Sequence, residues 1–228
     1  MDVAVVIYIF DENTGKERFT LKGEQHKYLV KVRRHQVGDK LFFRNKESLE
    51  QLYTYEIVDI EPRSVSFALV KVEESLQKPK KELHIAWCVI DPKSVEKVLA
   101  SLCEIGVSRI SFVDCERSQS NFKPDMKRLE RIVEASMQQS GRSTLMSFDT
   151  YKSIEVFLQE FPDTQIFDFC EQTLSNSENI QRVLIGCEGG FSEKERALFK
   201  SENVFRFEST NVLRSESAAL GIAAKVLL

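Results

Sequence analysis

At Leu83 the sequence changes its period, and that change limits the fold more than any other feature of the chain. Before it, "VAVVIYIF", "RFTL", "DKLFFRN", "LYTYEIVDI" and "SVSFALVKV" are short and rich in β-branched and aromatic residues, with turn chemistry such as "ENTG" and "VGD" between them. Strands of that kind predict a small β-barrel over residues 1–72. One segment, "GEQHKYLVKVRR", breaks the alternation. Its Tyr28, Leu29 and Val32 fall at helical spacing and predict a helix with one face on the barrel. The polar stretch "EESLQKPKKE", with Pro79 and no apolar periodicity, reads as a linker over residues 73–82.

From residue 83 to 228 strands alternate with helices. "LHIAWCVI" suits a buried strand, and Asp91 and Pro92 open a helical pattern through Val95, Val98, Leu99 and Leu102. "RISFV", "TQIFDF", "RVLIG" and "NVFRF" read as strands, "PDMKRLERIVEASMQQ" and "SEKERALF" as helices. This order predicts an α/β domain with a mainly parallel sheet covered on both faces. The ending "SESAALGIAAKVLL" is small and apolar nearly all round, so its helix must be buried in this chain or against a second copy.

Composition narrows the function. With 228 residues and 42% hydrophobic content there is enough chain for one large core or two smaller ones. No apolar run is long enough to span a bilayer, and "MDVAVVIYIF" lacks the features of a secretory signal, so a cytoplasmic protein is expected. Cys88, Cys103, Cys115, Cys170 and Cys187 form no C-x-x-C pair and read as reduced packing residues. His26, His35 and His84 lack metal-ligand spacing, so no metal is expected, and no G-x-S-x-G or Cys/His spelling supports a covalent hydrolase. The net charge of -3 gives no overall attraction to nucleic acid. Between Lys22 and Lys46, however, eight basic residues (Lys22, Lys27, Lys31, Arg33, Arg34, Lys40, Arg44, Lys46) face two acids, Glu24 and Asp39. This is either a face that tracks phosphates or a solvated barrel surface.

Three of the nine glycines, Gly186, Gly189 and Gly190, crowd into "LIGCEGGFSEKE". A strand enters this loop, and Ser192 with Glu195 spells a capping box that opens a helix. The loop therefore lies at the carboxyl end of a parallel strand, where open α/β sheets form ligand crevices and where glycine lets main-chain groups come close. A strand-to-helix turn with no ligand is the plainer reading. The spelling fits neither G-x-G-x-x-G nor G-x-x-x-x-G-K-[ST], and Glu188 would repel a phosphate, so a cationic or donor-rich ligand suits it better. In "NVLRSESAAL", Arg214 stands at a helix start where free N–H groups and a cation come together, or else it is a surface charge or the partner of Glu216. Arg117, Gln139 and Arg142 end a strand and a helix, where they line a groove or simply meet solvent.

Five ordered segments, "HKYLVKVRRHQVGD", "CEIGVSRISFVDCERS", "RLERIVEASMQQSGR", "IGCEGGFSEKE" and "NVLRSESAAL", closely resemble the RsmE family of bacterial ribosomal RNA methyltransferases in the SPOUT superfamily. The resemblance spans nearly the whole chain. It implies a PUA-like, RNA-binding β-barrel followed by a SPOUT α/β domain with a deep trefoil knot that binds cofactor and dimerises. It implies S-adenosylmethionine held by Phe169, Gly186, Cys187, Glu188, Gly189, Gly190, Phe207, Leu213 and Ser215, and methylation of N3 of one uridine in the decoding region of 16S rRNA, free or within the assembled small subunit. In such a homodimer Arg214 would stabilise charge developing on uracil, Glu216 or Glu188 would orient or accept the N3 proton, and Lys31, Arg33, Arg34, Arg117, Gln139 and Arg142 would contact RNA. The chain departs from the family at Cys187, where proline is usual, at Ser101, where lysine is usual, at Ser217, where threonine is usual, and in lacking an early arginine. Two alternatives stand beside this reading: a methyltransferase for another RNA, and a non-catalytic RNA-binding or ribosome-assembly protein.

Overall fold

A five-stranded mixed sheet and a six-stranded parallel sheet organise the computed structural model, which describes residues 7–118, 123–174 and 179–228. The chain divides into two compact units, one running to Lys78 and including Met137–Thr144, the other holding Pro79–Ser136 and Leu145–Leu228.

The first unit contains β1 (Ile9–Phe10), β2 (Arg18–Lys22), α1 (Gly23–His26), β3 (Lys40–Asn45), β4 (Ser48–Glu61) and β5 (Ser64–Glu74), in sheet order β1-β3-β4-β5-β2. Alternation along β2 turns Phe19 and Leu21 inward. There the Phe19 ring meets Phe43, Tyr55 and Phe67 at centroid distances of 5.3, 4.8 and 5.1 Å. Register shifts near Thr54 and Ile57 bend the long β4–β5 pair, as bulges do, and the sheet curls around these rings. Of the expected first strand only Ile9–Phe10 is seen; residues 1–6 lie outside the described residues.

Two readings of this region are corrected. The segment after α1 is a π-helical turn over Lys27–Val32, in which Arg33 N donates to Tyr28 O five residues back at 2.9 Å. Because the turn is wider than an α-helical one, the spacing that should have aligned three apolar residues no longer does: Leu29 is 2% exposed and Val32 is 67% exposed. Arg44 does not belong to the basic surface. It is buried, its guanidinium donating to the carbonyls of Leu49, Gln51 and Ser75, and burial lowers its pKa.

The second unit contains β6 (His84–Cys88), α2 (Pro92–Ile105), β7 (Arg109–Val113), most of α3 (Met126–Ser140), β8 (Ser147–Tyr151), α4 (Ile154–Glu160), β9 (Gln165–Phe167), β10 (Arg182–Ile185), α5 (Glu193–Arg196), β11 (Val204–Phe205) and α6 (Ser215–Leu227). Its strands are all parallel, in the order β11-β9-β10-β6-β7-β8. β6 lies near the centre and is buried along its whole length, which explains its unbroken apolar run. α2 begins where the Asp91 carboxylate accepts from Ser94 N, with Pro92 in its first turn, and ends at Gly106 in the left-handed region at φ 113°. A side chain at Gly106 would strike the Pro79 ring, 2.9 Å away. β8 (SFDTY) does not alternate, and α4 is only seven residues long, too short for a helical period to stand out. α6 packs against α2 and β10, burying Ala218, Ala219, Ile222, Ala223 and Val226, so its apolar character is used within this chain. Among the described residues no helix is long and apolar enough to cross a membrane.

Candidate functional site

The carboxyl ends of β9, β10 and β11 open onto a cavity of about 560 Å3, inside the ~300–1,000 Å3 range of small-molecule sites. Three stretches wall it: Phe167–Cys170 after β9, the glycine loop after β10, and Arg206–Ser215 between β11 and α6. All belong to the second unit.

Local chemistry fixes the glycine loop at both ends. At its start, Gly186 O accepts from Ser215 Oγ at 2.6 Å, and Ser215 Oγ accepts in turn from Trp87 Nε1 at 2.7 Å. One hydroxyl thus ties β6, the loop and the start of α6 together. The loop closes with Gly190 N donating to Cys187 O at 2.9 Å, and Gly190 stands at φ 65°, a conformation that favours glycine. At its end the expected capping box is present, with Ser192 Oγ accepting from Glu195 N and the Glu195 carboxylate accepting from Ser192 N. Glu195 also accepts from Glu116 N at 2.8 Å, so the loop after β7 is pinned to the same corner.

The facing wall is aromatic and charged. Phe167 and Phe207 stack obliquely at 4.9 Å, and the edge of Phe207 rests where a side chain at Gly221 of α6 would come within 2.9 Å. Asp168 is held by two hydrogen bonds from Arg196, at 2.7 and 3.1 Å, which raise the pKa of the guanidinium. Arg206 donates to Cys170 O at 2.8 Å. Arg214 is the N-cap residue of α6 and is exposed at the cavity wall. Glu188 faces the cavity from the glycine loop. The arrangement offers main-chain groups, an aromatic floor, carboxylates and a cation beside a helix start, a set suited to a ligand with a cationic centre and several donors.

The structure places Phe169, Gly186, Cys187, Glu188, Gly190, Phe207, Leu213, Arg214 and Ser215 on the cavity wall. Gly189 turns away, its carbonyl accepting from Arg117 Nη1 at 2.7 Å. Glu216 is buried in the first turn of α6 and is not part of the lining. Lys31, Arg33 and Arg34 are exposed in the first unit, with Arg33 Nε donating to Tyr28 OH at 2.8 Å and Arg34 at φ 61°. Gln139 is exposed, whereas Arg142 is buried and donates to Thr144 O at 2.7 Å. The sequence reading missed Phe167, Asp168 and Arg206. Asp168 had one available signal, its position directly after a strand that ends at the ligand edge.

Residues 77–227 match the model of the RNA methyltransferase domain. The ribosomal RNA small subunit methyltransferase E of Helicobacter pylori is 36% identical over 95% of this chain and 97% of its own. The ribosomal RNA small subunit methyltransferase E 2 of Borreliella burgdorferi is 28% identical over 93% of this chain and 92% of its own. The crystal structure of ribosomal RNA small subunit methyltransferase E from Neisseria gonorrhoeae, bound to S-adenosyl methionine, superposes with a TM-score of 0.74 over 96% of this chain and 95% of that one. At 16% identity this last likeness bears on the fold alone.

Proposed function

We propose that this chain, which belongs to the ribosomal RNA small subunit methyltransferase E family of RNA methyltransferases, methylates N3 of one uridine in the decoding region of 16S rRNA, using S-adenosylmethionine. The observation that carries this reading is the cavity between the glycine loop and Arg206–Ser215, with Arg214 at its wall. The residues present fit the cofactor. Phe167 and Phe207 offer an aromatic floor for an adenine ring, the loop offers main-chain groups for ring and ribose, and Glu188 offers a carboxylate for a cationic centre. When bound, the cofactor supplies a methyl group activated on a sulfonium.

The protein has three tasks in this reaction. Uracil N3 is a weakly acidic imide, so its proton must be removed or shared. Its carbonyl oxygens gain negative charge meanwhile, and N3 must be aligned with the methyl group. Arg214, a cation at the start of a 13-residue helix, suits the second task, and the free N–H groups of that helix reinforce it. Glu188, which faces the cavity, serves the first, whereas Glu216, expected to share that role, is buried outside the lining and is not placed to take the proton. Holding both reactants in one cleft supplies the third.

We read the curled sheet of the first unit as a PUA-like barrel that holds RNA through Lys31, Arg33 and Arg34. The second unit we read as a SPOUT domain with a deep trefoil knot. The strand order supports a knot, because β10 is inserted between β6 and β9 while the chain continues to β11 beyond β9. The exposed apolar residues Phe169, Val212 and Leu213 at the cavity support a homodimer whose partner completes the site. The substrate is 16S rRNA, free or within the small subunit, which puts the enzyme in the cytoplasm. Calorimetric titration with S-adenosylmethionine tests the cofactor reading: saturable binding is expected, and no heat from the folded protein would overturn it.

A further inference from the structure

Three adjacent parallel strands end in thiols. Cys88 closes β6, Cys115 follows β7, and Cys187 follows β10, which flanks β6 on its other side. The Sγ atoms of Cys115 and Cys187 lie 3.6 Å apart. The loops that carry them touch at a second point, where Arg117 Nη1 meets Gly189 O at 2.7 Å. The Cys115 loop is further fixed by the hydrogen bond from Glu116 N to Glu195. Two sulfurs from strands that are not neighbours are therefore held face to face by contacts that do not involve sulfur. A disulfide needs S–S of about 2.05 Å, so the pair must close by roughly 1.5 Å.

We propose that Cys115 and Cys187 form a reversible disulfide under hydroperoxide, and that closing it deforms the glycine loop and weakens cofactor binding. The last clause rests on the cofactor reading given above. Cys115 is the attacking residue: it is only partly buried, and Ser118 Oγ lies 3.0 Å from its sulfur. Hydrogen bonding from Cys187, then from Cys88, holds the Cys115 thiol well below the usual cysteine range, whereas the same contact with Cys115, then burial, pushes Cys187 up. Only the thiolate is nucleophilic, so the two sulfurs divide the work. The Cys115 thiolate attacks one oxygen of the peroxide, the O–O bond breaks, and hydroxide leaves, giving a sulfenic acid. Once Cys115 is a neutral sulfenic acid its charge no longer holds the Cys187 proton; Cys187 gives up that proton, its thiolate attacks the sulfenic sulfur, the hydroxyl group leaves with the proton as water, and the S–S bond forms. In total two thiols and one hydrogen peroxide give one disulfide and two waters.

The consequence for the loop follows from its hydrogen bonds. Cys187 sits between Gly186, whose carbonyl is held by Ser215, and Gly190, whose N–H is held by the Cys187 carbonyl. Drawing its sulfur toward Cys115 pulls the loop toward β7, away from the cavity it walls. Disulfides in a reducing compartment are transient and sensory, which suits a bond that must draw two loops together by roughly 1.5 Å better than a structural one.

The test uses the full chain, treated with a few equivalents of hydrogen peroxide. Peptide mass spectrometry under non-reducing conditions should find Cys115 linked to Cys187, lighter by two hydrogens. Amide exchange of residues 186–190 in the ligand-free protein should change, and affinity for S-adenosylmethionine should fall at least tenfold and recover with dithiothreitol. Cys115→Ser should bind the cofactor as the reduced protein does and keep that affinity under peroxide. Unlinked thiols, or a link that leaves exchange unchanged, would overturn the proposal, as would an equal loss of affinity in Cys115→Ser. If the reduced protein binds no S-adenosylmethionine, the cofactor reading fails, while the link and the exchange data still decide whether the disulfide remodels the loop.

Discussion

Ser215 donates its hydroxyl to the carbonyl of Gly186 at 2.6 Å, and so the first residue of α6 sets the position of the glycine loop. The same oxygen accepts from the buried indole of Trp87 at 2.7 Å. Ser215→Ala leaves the indole N–H without its partner in the core, which costs about 1–3 kcal/mol, and frees the loop. Thermal unfolding should show the destabilisation, and calorimetry should show cofactor affinity lowered by about tenfold, one lost hydrogen bond's worth. An unchanged affinity would mean that the loop holds its shape without α6.

Arg214→Ala separates chemistry from binding. If the guanidinium acts on charge that develops only in the transition state, kcat should fall about 10²–10³-fold while the KM for S-adenosylmethionine stays within a few-fold. A rise in KM with kcat preserved would assign Arg214 to cofactor binding instead.

Gly221 tests the aromatic floor from behind. A methyl group there would come within 2.9 Å of the Phe207 ring, so the ring must move into the cavity. Helix propensity opposes this, since alanine in a helix interior gains about 1 kcal/mol over glycine. Gly221→Ala is therefore expected to change the unfolding temperature little and to weaken cofactor binding about five- to tenfold, measured by the same calorimetry.

His84 gives the fold a pH dependence far from the cavity. Its Nδ1 accepts from Arg182 Nε at 3.0 Å, which fixes the proton on Nε2 facing Ser111 Oγ at 2.6 Å. Burial, then the cations of Arg109 and Arg182, lower its pKa to about 4. Between that value and the ordinary 6.5 the unfolded chain binds the proton and the folded chain does not, so stability falls as pH falls through this window. The loss is on the order of 2–3 kcal/mol between pH 7 and pH 4. Urea unfolding across that range should show it, and His84→Gln should flatten the curve at that step.

The parts of the molecule that follow a period were legible in the sequence: the strands of both sheets apart from β8, α2 with its Asp91 cap, and the capping box at Ser192 and Glu195. The glycine loop was legible for a different reason, because glycine is rare in this chain and therefore conspicuous. What escaped depends on geometry that pattern does not carry. The wider turn at Lys27–Val32 breaks the spacing that joined Leu29 to Val32, and Arg44 left the surface because the carbonyls of Leu49 and Gln51 at the start of β4 and of Ser75 after β5 converge on it. The cavity brings Asp168, Arg206 and Gly186 together from three loops, a meeting set by the strand order β11-β9-β10. The cysteines read as packing residues, and only the strand order brings Cys115 and Cys187 face to face.

The most direct measurement of the central claim is a nucleotide map of 16S rRNA from cells lacking this protein. N3-methyluridine should be missing there at one decoding-region position, and purified protein with S-adenosylmethionine should restore it to small subunits or rRNA from those cells. A normal level of N3-methyluridine in the deletion strain would contradict the claim.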